Sequence, residues 1–253
     1  MRKFKLNKIN KLNMKKLFLL TLLALCISAC GSGSKETADE DWIILFDGTS
    51  TDGWRAYNGD ALPAQWEIVD GALTFDTEKK LESEMQGGKD IIYGAEEFEN
   101  FELYLEWKLP AGGNSGIFYH LKENVEGGPP AISPEYQLLD DLQWEEINNA
   151  KLEEWQKTGA DYAMHVPDLA QKIVKPAGEW NSSKIIFTPT LVEHWLNGKK
   201  IVSFVPWSED WKEKKAAGKW KDSPLYGSFT TGYIGLQDHD SPLWFKDIRI
   251  RKL

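Results

Sequence analysis

Cysteine is nearly absent from this chain of 253 residues: Cys26 and Cys30 are its two thiols, and both lie near the N-terminus. If the segment through Ala29 is removed and Cys30 is modified, neither a disulfide nor a cysteine-based zinc site can form. Histidine is also sparse. His120, His165, His194 and His239 are far apart, with no His-x-His or His-x-x-x-His pair to suggest a preformed metal site. Arginine after Cys30 is limited to Arg55, Arg249 and Arg251. Seven of the 30 Lys and Arg precede Cys30, so the remainder carries 23 basic against 39 acidic residues, a net charge of −16. A surface this acidic argues against nucleic acid as a partner.

Long apolar runs are missing too. The one continuous apolar stretch, Leu17 to Ile27, follows Lys15 and Lys16 and leads into Ser28, Ala29 and Cys30. It is too short to cross a hydrocarbon core about 30 Å thick comfortably. Basic, apolar and small-residue regions in that order form a secretory signal with a lipobox. Residues 1–29 are therefore expected to be a lipoprotein signal peptide, with Met14 an alternative start, and Cys30 a lipidated N-terminus. Residues 30–41, small and increasingly acidic, read as a flexible tether. Gly31 after Cys30 fits an envelope lipoprotein of the outer membrane, facing the periplasm or the cell surface.

From Trp42 onward, short apolar runs alternate with Gly, Asp, Asn and Pro, and turn pairs recur at Asp47-Gly48, Asp70-Gly71 and Asn197-Gly198. In FELYLEWKL, Phe101, Leu103, Leu105 and Trp107 share one parity, the pattern of a half-buried strand. Leu142 to Lys157 and Ser208 to Lys221 are rich in charge and helix formers and read as two short helical insertions, the second capped by Ser208. The fold class implied is all-β, a two-sheet antiparallel jelly-roll sandwich occupying residues 42–253 as one domain. All 12 tryptophans lie in that part. Indole faces stack on sugar rings and carboxylates and amides bind hydroxyls, so carbohydrate is the expected ligand. Most of these indoles are expected to be packing, with only a few lining a site.

Six segments in order, WIILFDGTSTDGW, FELYLEWKLPAGGNSGIFYH, PEYQLLDD, GEWNSSKI, VEHWLNGKKI and GYIGLQDHDSPLWFKDIRI, resemble the 3-keto-disaccharide hydrolase family. The resemblance covers almost everything after the tether. It implies a concanavalin A-like jelly roll and an enzyme that cleaves glycosides whose sugar has been oxidised at C3. A ketone at C3 acidifies the proton on C2, so the glycosidic bond can break by elimination, with water adding afterwards. That chemistry needs a base, an enolate stabiliser and a proton donor for the leaving oxygen.

The residues carrying these roles are inferred from chemistry alone. Glu135 and Gln137 share a face of an extended PEYQLLD: Glu135 is the expected acid or base, Gln137 the hydroxyl or enolate ligand. His120 ends a strand and can titrate near neutrality. His165 lies on a loop after the first insertion and is the third catalytic candidate. Glu193 and Trp195 are expected to form a wall of the sugar site, with His194 as the inward group if parity runs the other way. Gln237 and His239, with Asp238 and Asp240 beside them, are expected at the rim, binding hydroxyls or a cation. A divalent ion, catalytic or a structural calcium on oxygen ligands such as Asp238 or Asp240, is compatible with this set. Two other readings remain open: a carbohydrate-binding module without catalysis, and a conventional glycoside hydrolase on unoxidised sugar, which would need two carboxylates at a fixed separation.

Overall fold

The structure, a computed structural model, describes residues 41–82 and 90–253. Cys30, the signal and the tether expected before residue 41 lie outside the described residues. A single compact unit spans Asp41–Leu253. Its strands in chain order are β1 (Ile43–Phe46), β2 (Trp54–Ala56), β3 (Trp66–Val69), β4 (Ala72–Phe75), β5 (Ile91–Tyr93), β6 (Phe101–Lys108) and β7 (Asn114–Leu121). They continue with β8 (Glu135–Leu139), β9 (Asn181–Thr188), β10 (Leu191–Leu196), β11 (Lys199–Phe204), β12 (Tyr233–Leu236) and β13 (Leu243–Lys252).

These strands form two antiparallel sheets. The larger runs β11-β10-β9-β6-β13-β4-β3, with β1 also paired to β13. The smaller runs β2-β5-β12-β7-β8. Strands distant in sequence are thus neighbours, as the expected jelly roll requires. The alternation read in β6 is realised: Phe101, Leu103, Leu105 and Trp107 are buried in the inter-sheet core. They meet Ile117 and Tyr119 of β7, Tyr136 and Leu138 of β8, and Ile234 and Leu236 of β12 from the facing sheet. Each fully buried Leu, Ile or Phe contributes about 1.5–3 kcal/mol relative to exposure, so with no disulfide the core alone is ample to hold the sandwich. Buried polar ends are paired: Trp107 Nε1 donates to Ser183 Oγ (2.8 Å) and Trp54 Nε1 to the Leu45 carbonyl (2.8 Å).

The helices are α1 (Thr77–Glu82), α2 (Pro129–Ile132), α3 (Trp144–Ile147) and α4 (Glu209–Ala217). Of the two insertions expected from sequence, only the second forms a regular helix of any length. Ser208 caps it, accepting from the Trp211 amide (3.3 Å). In Leu142 to Lys157 the single-turn α3 and a 3-10 turn at Glu154–Gln156 are separated by extended chain. The first insertion is thus helical only in single turns, because no apolar stripe in it finds a partner; Leu142 and Ile147 stay exposed.

Candidate functional site

Tyr136 and Leu138 fill the core from β8, so Glu135 and Gln137 project from the opposite, outer face of the smaller sheet. Register carries that face across the sheet. Gly116 lies opposite Gln137 and Phe118 opposite Glu135, and the Gln237 amide donates to the Gly116 carbonyl (2.9 Å). Beyond it, Asp90 accepts from the Asp238 amide (2.9 Å). On the other side of β8, residues 159–162 add a further strand-like segment: Gly159 N donates to Gln137 O (2.8 Å) and Tyr162 N to Glu135 O (3.0 Å). One row of this face therefore holds Asp90, Gln237, Gly116 and Gln137, and the next holds Phe118, Glu135 and Tyr162. At one end Phe118, Ile92, Leu121 and Ile132 form a small apolar cluster under Tyr57, Phe229 and Tyr233.

Glu135 dominates the electrostatics. It is only 4 % exposed, and its carboxyl makes no hydrogen bond among the described residues. Its Oε1 occupies the space above Gly116, where a β-carbon would come within 2.1 Å. Burial, with the charge of Asp90 adding to it and Lys219 opposing, pushes the carboxyl up to about 8. Gln137 turns its Oε1 onto the Leu138 amide (2.9 Å), which leaves its NH₂ to donate outward. Asn114, on the same parity of β7 as Gly116, has a buried Oδ1 with no hydrogen-bond partner among the described residues. A sheet face with a proton-binding carboxyl, an amide donor and an unused amide oxygen is equipped for a polyhydroxylated ligand and for moving one proton.

The sequence-derived candidates divide. Glu135, Gln137 and Gln237 come together on this face. His239 is exposed on the turn that follows Gln237, at the margin. His120 does not join them. It has a positive φ of 54°, and the pairing of β7 with β12 shifts register at this point, a bulge that turns the ring inward. There it lies edge-on to Phe187 (4.2 Å) and bonds the Glu99 carbonyl (2.8 Å). Burial holds it down to about 4.

His165 sits at the lateral edge of the sandwich. Its Nδ1 is 2.8 Å from Asp161 Oδ2, its ring stacks on Phe204 (4.0 Å), and its Nε2 lies 3.5 Å from Asp210 of α4. Asp161 pairs across from Tyr136, so this His–Asp pair occupies the face of the added segment opposite Glu135. His194 is inward, as one of the two parities required, but it meets core: Nδ1 bonds the Gly159 carbonyl (3.0 Å) and the ring packs on Tyr136 (4.7 Å). Glu193 and Trp195 project from the outer face of the larger sheet, away from Glu135. Trp195 Nε1 donates to Glu193 Oε2 (2.9 Å), Lys200 pairs with Glu193 (2.9 Å), and Lys184 lies over the indole (4.2 Å). They form no wall of the Glu135 cleft.

Two residues that the sequence reading did not single out stand beside Glu135: Tyr162, paired with it across the strands, and Lys219, which donates to the Tyr162 hydroxyl (3.1 Å). Tyr162 arrives on the segment added to β8 and Lys219 on the loop after α4, and no local pattern marks either. Among the described residues no group of three or more His, Cys, Asp or Glu is arranged to hold a metal ion; Asp238 instead accepts from the Asp240 amide (3.0 Å).

Comparison with known proteins places the chain in a family and agrees with the fold. A curated 3-keto-disaccharide hydrolase from Bacteroides thetaiotaomicron is 35 % identical over 233 residues, 85 % of this chain and 79 % of that protein. A crystal structure described as a candidate glycosyl hydrolase from Parabacteroides distasonis superposes with a TM-score of 0.75 at 40 % identity, covering 84 % of this chain and 94 % of that one. A non-specific endo-β-1,3(4)-glucanase shares the fold alone, with a TM-score of 0.50 at 10 % identity over 85 % of this chain and 96 % of its own. The model of the 3-keto-alpha-glucoside-1,2-lyase-like domain matches residues 41–251, and the chain belongs to that family.

Proposed function

We propose that the protein, an enzyme acting on glycosides, cleaves those whose sugar carries a ketone at C3, by removing the C2 proton, eliminating the C1 oxygen and then hydrating the product. The observation that carries this reading is Glu135: a buried carboxyl on the outer face of the smaller sheet, free of hydrogen bonds among the described residues and raised to about 8. A carboxylate in that state is a stronger base than an ordinary one, suited to a C–H made acidic by an adjacent carbonyl. The Gln137 NH₂ beside it can donate to the enolate oxygen as charge develops there.

The test is aglycone release from paired 3-keto and unoxidised glucosides, with and without chelator. Turnover of the keto compound alone supports the reading, and Glu135→Gln should abolish it. Turnover of the unoxidised compound alone would assign a conventional glycosidase; binding of both without turnover would assign a carbohydrate-binding module. Loss of keto turnover with chelator would add a divalent ion to the site.

For the N-terminal segment we propose lipidation of Cys30 and an envelope location. Labelling with a fatty-acid probe that persists in Cys30→Ser would remove this assignment.

A further inference from the structure

Elimination creates an alkoxide on the leaving group, and Glu135, having taken the C2 proton, cannot also protonate it in the same step. If Glu135 keeps that proton to return it to C2 on hydration, the leaving oxygen takes its proton from a second donor on the same face. Tyr162 is the cross-strand neighbour of Glu135, joined to it by a backbone hydrogen bond of 3.0 Å, so both side chains rise from the same face of the sheet. The phenol oxygen accepts from Lys219 Nζ (3.1 Å). The ammonium is held between two rings, 4.4 Å from the centroid of Tyr162 and 4.9 Å from that of Trp220. Trp220 is itself fixed, its Nε1 donating to the Tyr162 carbonyl (3.1 Å) and its ring stacked on Tyr226 (4.4 Å). The phenol thus has its acceptor side occupied by a cation and its own proton uncommitted among the described residues. The Lys219 charge also opposes the upward push that burial and Asp90 give the Glu135 carboxyl.

We propose that Tyr162 is the proton donor to the departing glycosidic oxygen and that Lys219 is its positioning and charge-balancing partner. The assignment rests on the keto-glycoside reading above. Glu135 takes the C2 proton, and the C–H electron pair moves into the enolate at the C3 oxygen. Collapse of the enolate forms the C1–C2 double bond and breaks the C1–O bond, whose electrons take the Tyr162 proton. The phenolate is balanced by the Lys219 ammonium. Water then adds its oxygen to C1 and a proton to Tyr162, while Glu135 returns its proton to C2, so both groups are restored.

The experiment compares methyl and 4-nitrophenyl 3-keto-glucosides, and follows exchange of the C2 hydrogen in deuterated water, in wild type, Tyr162→Phe, Lys219→Met, Lys219→Arg and Glu135→Gln. The methyl compound expels a poor leaving group that needs protonation; the nitrophenolate does not. Tyr162→Phe is expected to lose about 10²-fold or more in kcat/KM on the methyl compound, the scale of general acid catalysis, and no more than about threefold on the nitrophenyl one. Lys219→Met should show the same pattern to a smaller degree, with Lys219→Arg restoring most of the loss. Because Lys219 is exposed, its variants test the pair without a folding defect. C2 exchange should persist in Tyr162→Phe and vanish in Glu135→Gln. Equal losses on both leaving groups, or loss of exchange together with turnover in Tyr162→Phe, would overturn the assignment while leaving the keto-glycoside reading intact. Wild type that neither exchanges nor cleaves either keto compound would remove that reading, and the donor role with it.

Discussion

The carboxylate of Glu135 lies across Gly116, so close that a β-carbon at residue 116 would stand 2.1 Å from Oε1 and 2.8 Å from the carboxyl carbon. The glycine is required by space, since its backbone needs no left-handed conformation. It lets a side chain from β8 fold flat over β7 instead of rising into solvent. Gly116→Ala must swing the carboxyl aside. Because what moves is the far end of a flexible side chain, the sandwich should survive: we expect kcat/KM to fall about 10²-fold, the scale of a misplacement of about 1 Å. Melting should stay within about 4 °C, equivalent to roughly 1 kcal/mol. A variant with full activity would show that the carboxyl does not work from this slot.

The pH behaviour of Glu135 follows from its position. With its carboxyl raised from 4.5 to about 8, the basic form needed for C2 proton removal accumulates only as pH approaches 8, so kcat/KM should climb to half its plateau near there. Stability runs the other way. Between pH 4.5 and 8 the folded chain holds a proton that the unfolded chain has released, so this group's contribution is lost as pH rises, by at most about 1.4 kcal/mol per unit. Glu135→Gln should remove that slope and be more stable than wild type at pH 8. Thermal melts of both proteins from pH 5 to 8.5 measure it.

His120 and His194 act in the opposite direction. Burial holds each down to about 4 from 6.5, so between those values the unfolded chain binds the extra protons and stability falls as the solution is acidified. From pH 6.5 down to 4.5 two histidines work against one glutamate. The balance among these three groups therefore favours loss of stability on acidification. Ring-proton chemical shifts should show both imidazoles neutral at pH 6, and chemical denaturation should show the midpoint dropping toward pH 4.5. Protonation of either ring at pH 6 would contradict the core placement.

Strand periodicity exposed most of the fold and part of the site. In β6 and β8 the alternation of large apolar residues with polar ones maps directly onto core and outer face, so Glu135 and Gln137 could be paired from parity alone. Parity cannot say which sheet a strand joins, and Glu193 and Trp195, with the same alternation, proved to line the outer face of the larger sheet. His120 was misplaced for a different reason. A bulge resets parity within β7, and a positive φ at a histidine leaves no mark in the sequence. Tyr162 and Lys219 were invisible because each lies on an irregular segment whose path depends on what it packs against, through Trp220 and Tyr226, and only the folded chain reveals that.

The outer face of the larger sheet offers the sharpest check on which side of the sandwich is chemical. Trp195 lies under the Lys184 ammonium at 4.2 Å and donates to Glu193, which is itself paired with Lys200. Those contacts tie Trp195 and the buried Glu193 into an ion-pair cluster, and Trp195 and Lys184 line a pocket of about 460 Å³ on this face. Trp195→Ala and Glu193→Gln are expected to keep kcat/KM on a 3-keto-glucoside within about twofold, since both side chains lie on the sheet face opposite Glu135 and a role acting only from the transition-state face is untouched. Glu135→Gln, on the other face, should leave almost none. A tenfold or greater loss in either outer-face variant, with melting unchanged, would move the substrate to the outer face of the larger sheet and restore Glu193 and Trp195 as a wall of the sugar site.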